Sequence, residues 1–274
     1  MEAGSDGAAL VKGGVRVKKK ENTSQKIDES KFIDDLVKEI FNKVSPKDLS
    51  SNEFVGIYGT GGIGKTTLAK ALYDSIYKNF QGSSFILNVR ETSKQSNGLE
   101  FLQRSLLANI LEDNEINVKS KEEGIRTIKD RLCLKRVLIV LDDISNIEQL
   151  NNLAGERNWF GLGSRIIITT RNKHLLNGGV EKRYEMKFLD NQESLELFCH
   201  CAFKQSYSKP NYEDMSNRAV HSCKGLPLAL KVLGFHMVGR QLDEWKDAPD
   251  TFEKSPHEDV QRVLRISYDS LPIN

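Results

Sequence analysis

The chain has 274 residues, 38% of them apolar and 28% charged, with a formal net charge of +2. That length supplies one large or two modest domains with a sizeable core. The near-balanced charge excludes a general attraction to nucleic acid or acidic membranes, and the longest apolar runs, such as 137–141, are strand-sized, so no membrane segment is expected.

The N-terminal stretch MEAGSDGAALVKGG holds no apolar run of signal-peptide length, and Glu2 excludes N-myristoylation. Four cysteines without a framework spacing fit a reducing compartment. The expected location is therefore cytoplasmic. The basic cluster Arg16, Lys18, Lys19 and Lys20 leaves the nucleus as a second site, although a solvated, disordered basic tail over 1–27 is the favoured reading.

From residue 28 the character changes. Phe32, Ile33, Leu36, Val37, Ile40, Phe41 and Val44 recur at helical spacing until Pro46 stops them, which predicts an amphipathic lead-in helix over 28–45. Residues 54–58 read as a buried strand. The glycine-rich stretch GTGGIGKTT (59–67) follows it, and a helix over 66–80 carries Leu68, Leu72, Ile76 and Phe80 on one face. Strands are then expected at 84–89, 136–142, 164–171 and 183–187, with helices at 99–111, 124–134 and 147–153 between them. Strands without an exposed face, separated by helices, argue for an α/β fold with a parallel sheet covered on both sides.

Beyond about residue 190 the pattern is all helical, with helices expected at 193–203, 212–223, 227–238, 242–252 and 260–268. Cys199-His200-Cys201 and His221-x-Cys223 suggest zinc at first sight. Both lie in helical stretches, where positions i and i+2 point about 200° apart, so buried helix cysteines are expected there.

The stretch 59–67 fits G-x-x-x-x-G-K-[ST], the P-loop pattern, in the strand–loop–helix context its mechanism needs. A helix start offers unpaired N–H groups and a positive dipole end, and glycines let the backbone approach phosphate oxygens closely. Gly59, Gly61, Gly62, Ile63, Gly64, Lys65, Thr66 and Thr67 are therefore the expected phosphate cradle. Lys65 reaches the β- and γ-phosphates and Thr66 holds Mg²⁺. A second signal is the apolar run 138–141 ending in Asp142 and Asp143. An acid at the carboxyl end of a buried strand lies where ligands bind in such sheets, so Asp142 is the expected metal partner and Asp143 the group that orients or activates water. Arg171 ends another core strand. A guanidinium facing the γ-phosphate and an ordinary surface arginine fit its pattern equally.

In this order, GTGGIGKTT, FILNVRE (85–91), LIVLDD (138–143), GSRIIITTR (163–171), ELFxxxAF (196–203) and GLPLAL (225–230) resemble the nucleotide-binding core of plant disease-resistance proteins, the NB-ARC family. The form of FILNVRE, the aspartate ending LIVLDD and the lead-in helix resemble its TIR-type branch. The resemblance runs over about residues 28–274. It implies a P-loop nucleotide-binding domain over 50–190, a helical subdomain over 191–262 and the start of a winged helix over 263–274, with the TIR domain, the rest of the winged helix and the leucine-rich repeats not represented. It implies ADP or ATP with Mg²⁺ as ligands, Arg171 as a γ-phosphate sensor and Pro227 beside the adenine. The function it implies is a switch in innate immunity, held off by ADP and reset by slow ATP hydrolysis in which Lys65 and Asp143 act. The alternative is a non-hydrolysing interaction module that pairs with full-length resistance proteins or with itself through its helical regions.

Overall fold

The computed structural model of the chain describes Val37 and residues 50–245. The basic tail, most of the lead-in helix and the helix expected at 260–268 lie outside the described residues. Val37 is helical and packs against the core.

Five strands form one sheet: β1 (Glu53–Tyr58), β2 (Gly82–Ile86), β3 (Val137–Ile144), β4 (Arg165–Thr170) and β5 (Lys182–Glu185). Their order across the sheet is β2-β3-β4-β1-β5 and every pairing is parallel. All strands therefore end on the same side, and β4 stands between the strand that launches the glycine loop and the strand that carries Asp142 and Asp143 near its end.

Because successive strand residues point to opposite faces, β1, β3 and β4 each feed two cores. Val55, Ile57, Leu138, Val140 and Ile167 face α1 (Lys65–Ile76) and the later helices. Phe54, Ile139, Leu141, Ile166 and Ile168 face the opposite way, onto α3 (Gly98–Leu111), α4 (Lys121–Leu132) and α5 (Ile147–Ala154). This double burial is why these strands read as continuous apolar runs.

Local chemistry sets the boundaries. The helix expected to reach residue 80 stops at Ile76, where residues 77–79 tighten into a 3₁₀ turn that leads into β2. The strand expected over 84–89 ends at Ile86 instead. Asn88 adopts a left-handed backbone with φ 51°, which asparagine tolerates better than most residues, and opens a short helix, α2 (Val89–Ser93). Asn146 and Gln149 form a reciprocal capping box on α5, and Asp190 with Glu193 does the same for α6 (Asn191–Phe203). α7 (Glu213–Cys223) and α8 (Pro227–His236) follow, α8 with its proline in the first turn, where a missing N–H costs nothing, and residues 242–245 are helical again at the edge of the described residues.

The change of pattern near residue 190 does not interrupt the packing. One apolar cluster runs from the α1 face of the sheet through Met186, Leu189 and Leu226 into Phe198, Leu230 and Trp245. Trp245 stacks on Phe203 at 5.0 Å and meets Phe198 and Tyr212 edge-on. Cys199, Cys201 and Cys223 are buried in this helical part, while Cys133 is exposed.

Candidate functional site

The carboxyl ends of β1, β3 and β4 converge on a cavity of about 360 Å³. The loop after β1 is shaped by glycines: Gly62 has φ 77° and Gly64 φ 97°, backbone conformations that L side chains rarely adopt. Gly62 is doubly restricted. A Cβ there would lie 2.8 Å from the Cβ of Leu228, and its carbonyl accepts the Leu228 N–H at 3.2 Å. A helix start leaves its first N–H groups without helical partners. In α8, Pro227 has none to offer and that of Leu228 is taken by the glycine loop.

Lys65 donates to the carbonyls of Gly59 at 2.8 Å and Thr60 at 2.7 Å. Burial, followed by the nearby Arg171 guanidinium, lowers its pKa to about 8, against the pull of Asp143 and Asp142. Thr66 Oγ1 donates to Asp142 Oδ1 at 2.7 Å, and Thr169 Oγ1 of β4 donates to the same oxygen at 2.7 Å. Thr169 also accepts the Asp143 N–H at 2.8 Å, so the middle strand braces both aspartates.

Asp143 sits at φ 57°, where the β3–β4 register shifts between Leu141 and Ile144. The irregularity re-aims its carboxylate across the strand ends, as bulges beside sites do. Asp143 Oδ2 lies 3.1 Å from Arg90 Nη2 of α2, and its Oδ1 lies 3.5 Å from Arg171 Nε. Burial lowers the pKa of Arg171, opposed by the adjacent Asp143.

Of the residues expected from sequence, Gly61, Gly62, Ile63, Gly64, Lys65, Thr66, Thr67, Asp142, Asp143, Arg171 and Pro227 all line this one cavity. Gly59 is not among its lining residues and acts through its carbonyl on Lys65. Sequence reasoning assigns no individual role to Thr169 or Arg90, although both stand in the stretches GSRIIITTR and FILNVRE. It also misses the far wall, where Met186, Leu189 and Leu197 supply apolar surface and Glu193, Glu196, His200 and Lys231 supply polar groups. The sequence signal for that wall is the α6 face at 193, 196, 197 and 200, whose spacing places those residues side by side.

A protein-family model described as "NB-ARC domain" matches residues 33–208. Over 241 residues the chain is 43% identical to "Disease resistance protein RPV1" of Vitis rotundifolia, covering 87% of this chain and 17% of that protein. It is 40% identical over 227 residues to "TMV resistance protein N" of Nicotiana glutinosa, covering 79% of this chain and 19% of that protein. The chain thus spans about a fifth of the length of these curated relatives. Among solved structures, Cdc6p from Pyrobaculum aerophilum superposes with a TM-score of 0.49 at 13% identity, covering 84% of this chain and 62% of that one.

Proposed function

The chain belongs to the NB-ARC domain family, and from that premise we propose that it is the nucleotide-binding module of a plant disease-resistance receptor, a switch that ADP holds off and ATP turns on. The observation that carries this reading is the meeting of the P-loop, the acidic pair, Arg171 and the first turn of α8 around one cavity. Phosphates lie along the loop at the start of α1, with Lys65 exchanging its carbonyl partners for the β- and γ-oxygens. The base lies against the apolar wall of Met186, Leu197 and Pro227.

Thr66 Oγ1 and Asp142 Oδ1 stand 2.7 Å apart, both hard oxygen donors and one a carboxylate, a set that fits Mg²⁺. Mg²⁺ held by them would neutralise charge on the β- and γ-phosphates. Arg171 reads the γ-phosphate from the end of β4, and Asp143 orients the attacking water. A carboxylate whose two oxygens already face two guanidiniums has fewer acceptor sites left for water, which fits a slow hydrolysis that resets the switch. A ligand shifts such an equilibrium only by its preference for one state. The Gly62–Leu228 hydrogen bond is a physical route for that preference to reach the helices.

Purified chain, denatured and analysed by chromatography, is expected to release ADP. Nucleotide-free protein with no measurable ADP affinity would overturn the switch in favour of a module that only pairs with full-length resistance proteins.

A further inference from the structure

Arg90 is the charged residue of the site that does not line the nucleotide cavity. It lines a neighbouring polar cavity of about 170 Å³ together with Ser93, Lys94, Ser145 and Gln149. Its guanidinium nonetheless reaches Asp143, which does face the nucleotide, with Nη2 3.1 Å from Oδ2. The Arg90–Asp143 pair thus lies between the two cavities, and Asp143 has one arginine at each carboxylate oxygen. The two contacts differ. Arg90 approaches at hydrogen-bond distance, whereas Arg171 Nε stands off at 3.5 Å.

The anchoring differs too. Arg90 sits in α2, started by the left-handed Asn88 and pinned by Val89, which is fully buried. Its carbonyl accepts from Ser93 Oγ at 3.1 Å, and Ser93 Oγ accepts from Gln149 Nε2 at 2.7 Å. Gln149 also belongs to the capping box of α5, the helix that follows β3 and Asp143. The Arg90 backbone is therefore tied through Ser93 to Gln149 and its guanidinium to Asp143, at the two ends of the turn that joins β3 to α5.

We propose that Arg90 is a positioning residue for ATP hydrolysis: it holds the Asp143 carboxylate from behind, so that Arg171 transfers to the γ-phosphate while Asp143 stays in place. This rests on the hydrolytic reading above. The physical need is plain, because a triphosphate attracts Lys65 and Arg171 and repels Asp143. Without a cation behind it, the carboxylate would leave the position its left-handed backbone sets.

The test is steady-state ATPase and ADP binding on the 274-residue chain and its variants. Arg90→Ala is expected to lower kcat about 10²-fold, as a misplacement of about 1 Å does, with KM and ADP Kd changed less than about threefold. Arg90→Lys keeps the charge but not the planar fork and is expected to recover about tenfold of that loss. In an Asp143→Asn background, Arg90→Ala is expected to add less than about twofold, since the two residues act as one unit. Unchanged turnover in Arg90→Ala, with Asp143→Ala slow, overturns the positioning role and leaves hydrolysis standing. Equal loss of ADP affinity and turnover in both Arg90 variants also overturns it, by making the residue merely structural. Turnover of the parent chain no greater than that of Lys65→Ala overturns the hydrolytic reading and the positioning role together.

Discussion

The two walls of the cavity are built on different plans. The wall proposed to take phosphate, here the phosphate wall, is made of strand ends and one glycine loop. Lys65, Thr66, Asp142, Thr169 and the Asp143 amide there are held by hydrogen bonds of 2.7–2.8 Å to a loop or a neighbouring element. The helical wall is made of side chains beyond β5, among which Met186, Leu189, Leu197 and Pro227 give an apolar surface backed by packing against the core that includes Trp245. Directional bonds fix charged groups to a fraction of an ångström, which phosphate chemistry needs. Packing fixes a surface but tolerates small shifts, which suits a wall that responds to what is bound.

Lys65→Ala attacks the phosphate wall where it is strongest. Losing charge-assisted bonds worth about 3 kcal/mol is expected to weaken ADP about 100-fold by calorimetry. Unchanged affinity would deny the loop its phosphate role. Thr169→Val leaves the shape of the buried residue and removes its hydroxyl, so Asp142 loses one donor and the Asp143 N–H loses its acceptor. The expected cost is about 2 kcal/mol, or about 6 °C in Tm; a smaller effect than that of any apolar wall substitution would erase the contrast between the two plans.

Met186→Ala tests the other wall. It removes apolar contact worth about 1 kcal/mol, so ADP is expected to bind about fivefold more weakly while inorganic pyrophosphate binds as before. Equal weakening of both ligands would place Met186 on the phosphate side.

The smallest effect concerns the core behind that wall. Burial pushes the Cys223 thiol up to about 12 from 9.0 and raises that of Cys199 as well. A thiol reagent near neutral pH is expected to label Cys133 alone until the chain unfolds. The unfolded thiol ionises first, so Cys223 favours unfolding progressively as pH rises from about 9 to about 12. Rapid labelling of Cys223 in the native chain would show that the helical core is not closed.

The phosphate wall is largely legible in the amino-acid sequence, because its signals are local. The P-loop occupies nine consecutive residues, and Asp142 and Asp143 close an apolar run that reads as a strand. Pairing over distance is not legible there. Thr169 meets Asp142 across 27 residues of chain, and Thr66 meets Asp142 across 76. No periodicity encodes such contacts; they follow from β4 inserting between β1 and β3. Arg90 is hidden for a related reason. The strand expected through residue 89 places it as a strand-end side chain, and only the left-handed turn at Asn88 swings it toward Asp143. The helices of the far wall are legible as elements, with α6, α7 and α8 starting within two residues of expectation. Their common attachment to the α1 face of the sheet is not, since amphipathic spacing says that a face is buried but not against what.

The bond from the Leu228 N–H to the Gly62 carbonyl has a spectroscopic consequence. Amides in the first turn of a helix ordinarily exchange quickly with solvent deuterium, because no helical carbonyl shields them. The Leu228 amide is shielded by a carbonyl some 166 positions earlier in the chain. Its exchange rate is thus a built-in gauge of whether the glycine loop rests against the helical part, readable in the unmodified protein with each nucleotide in turn.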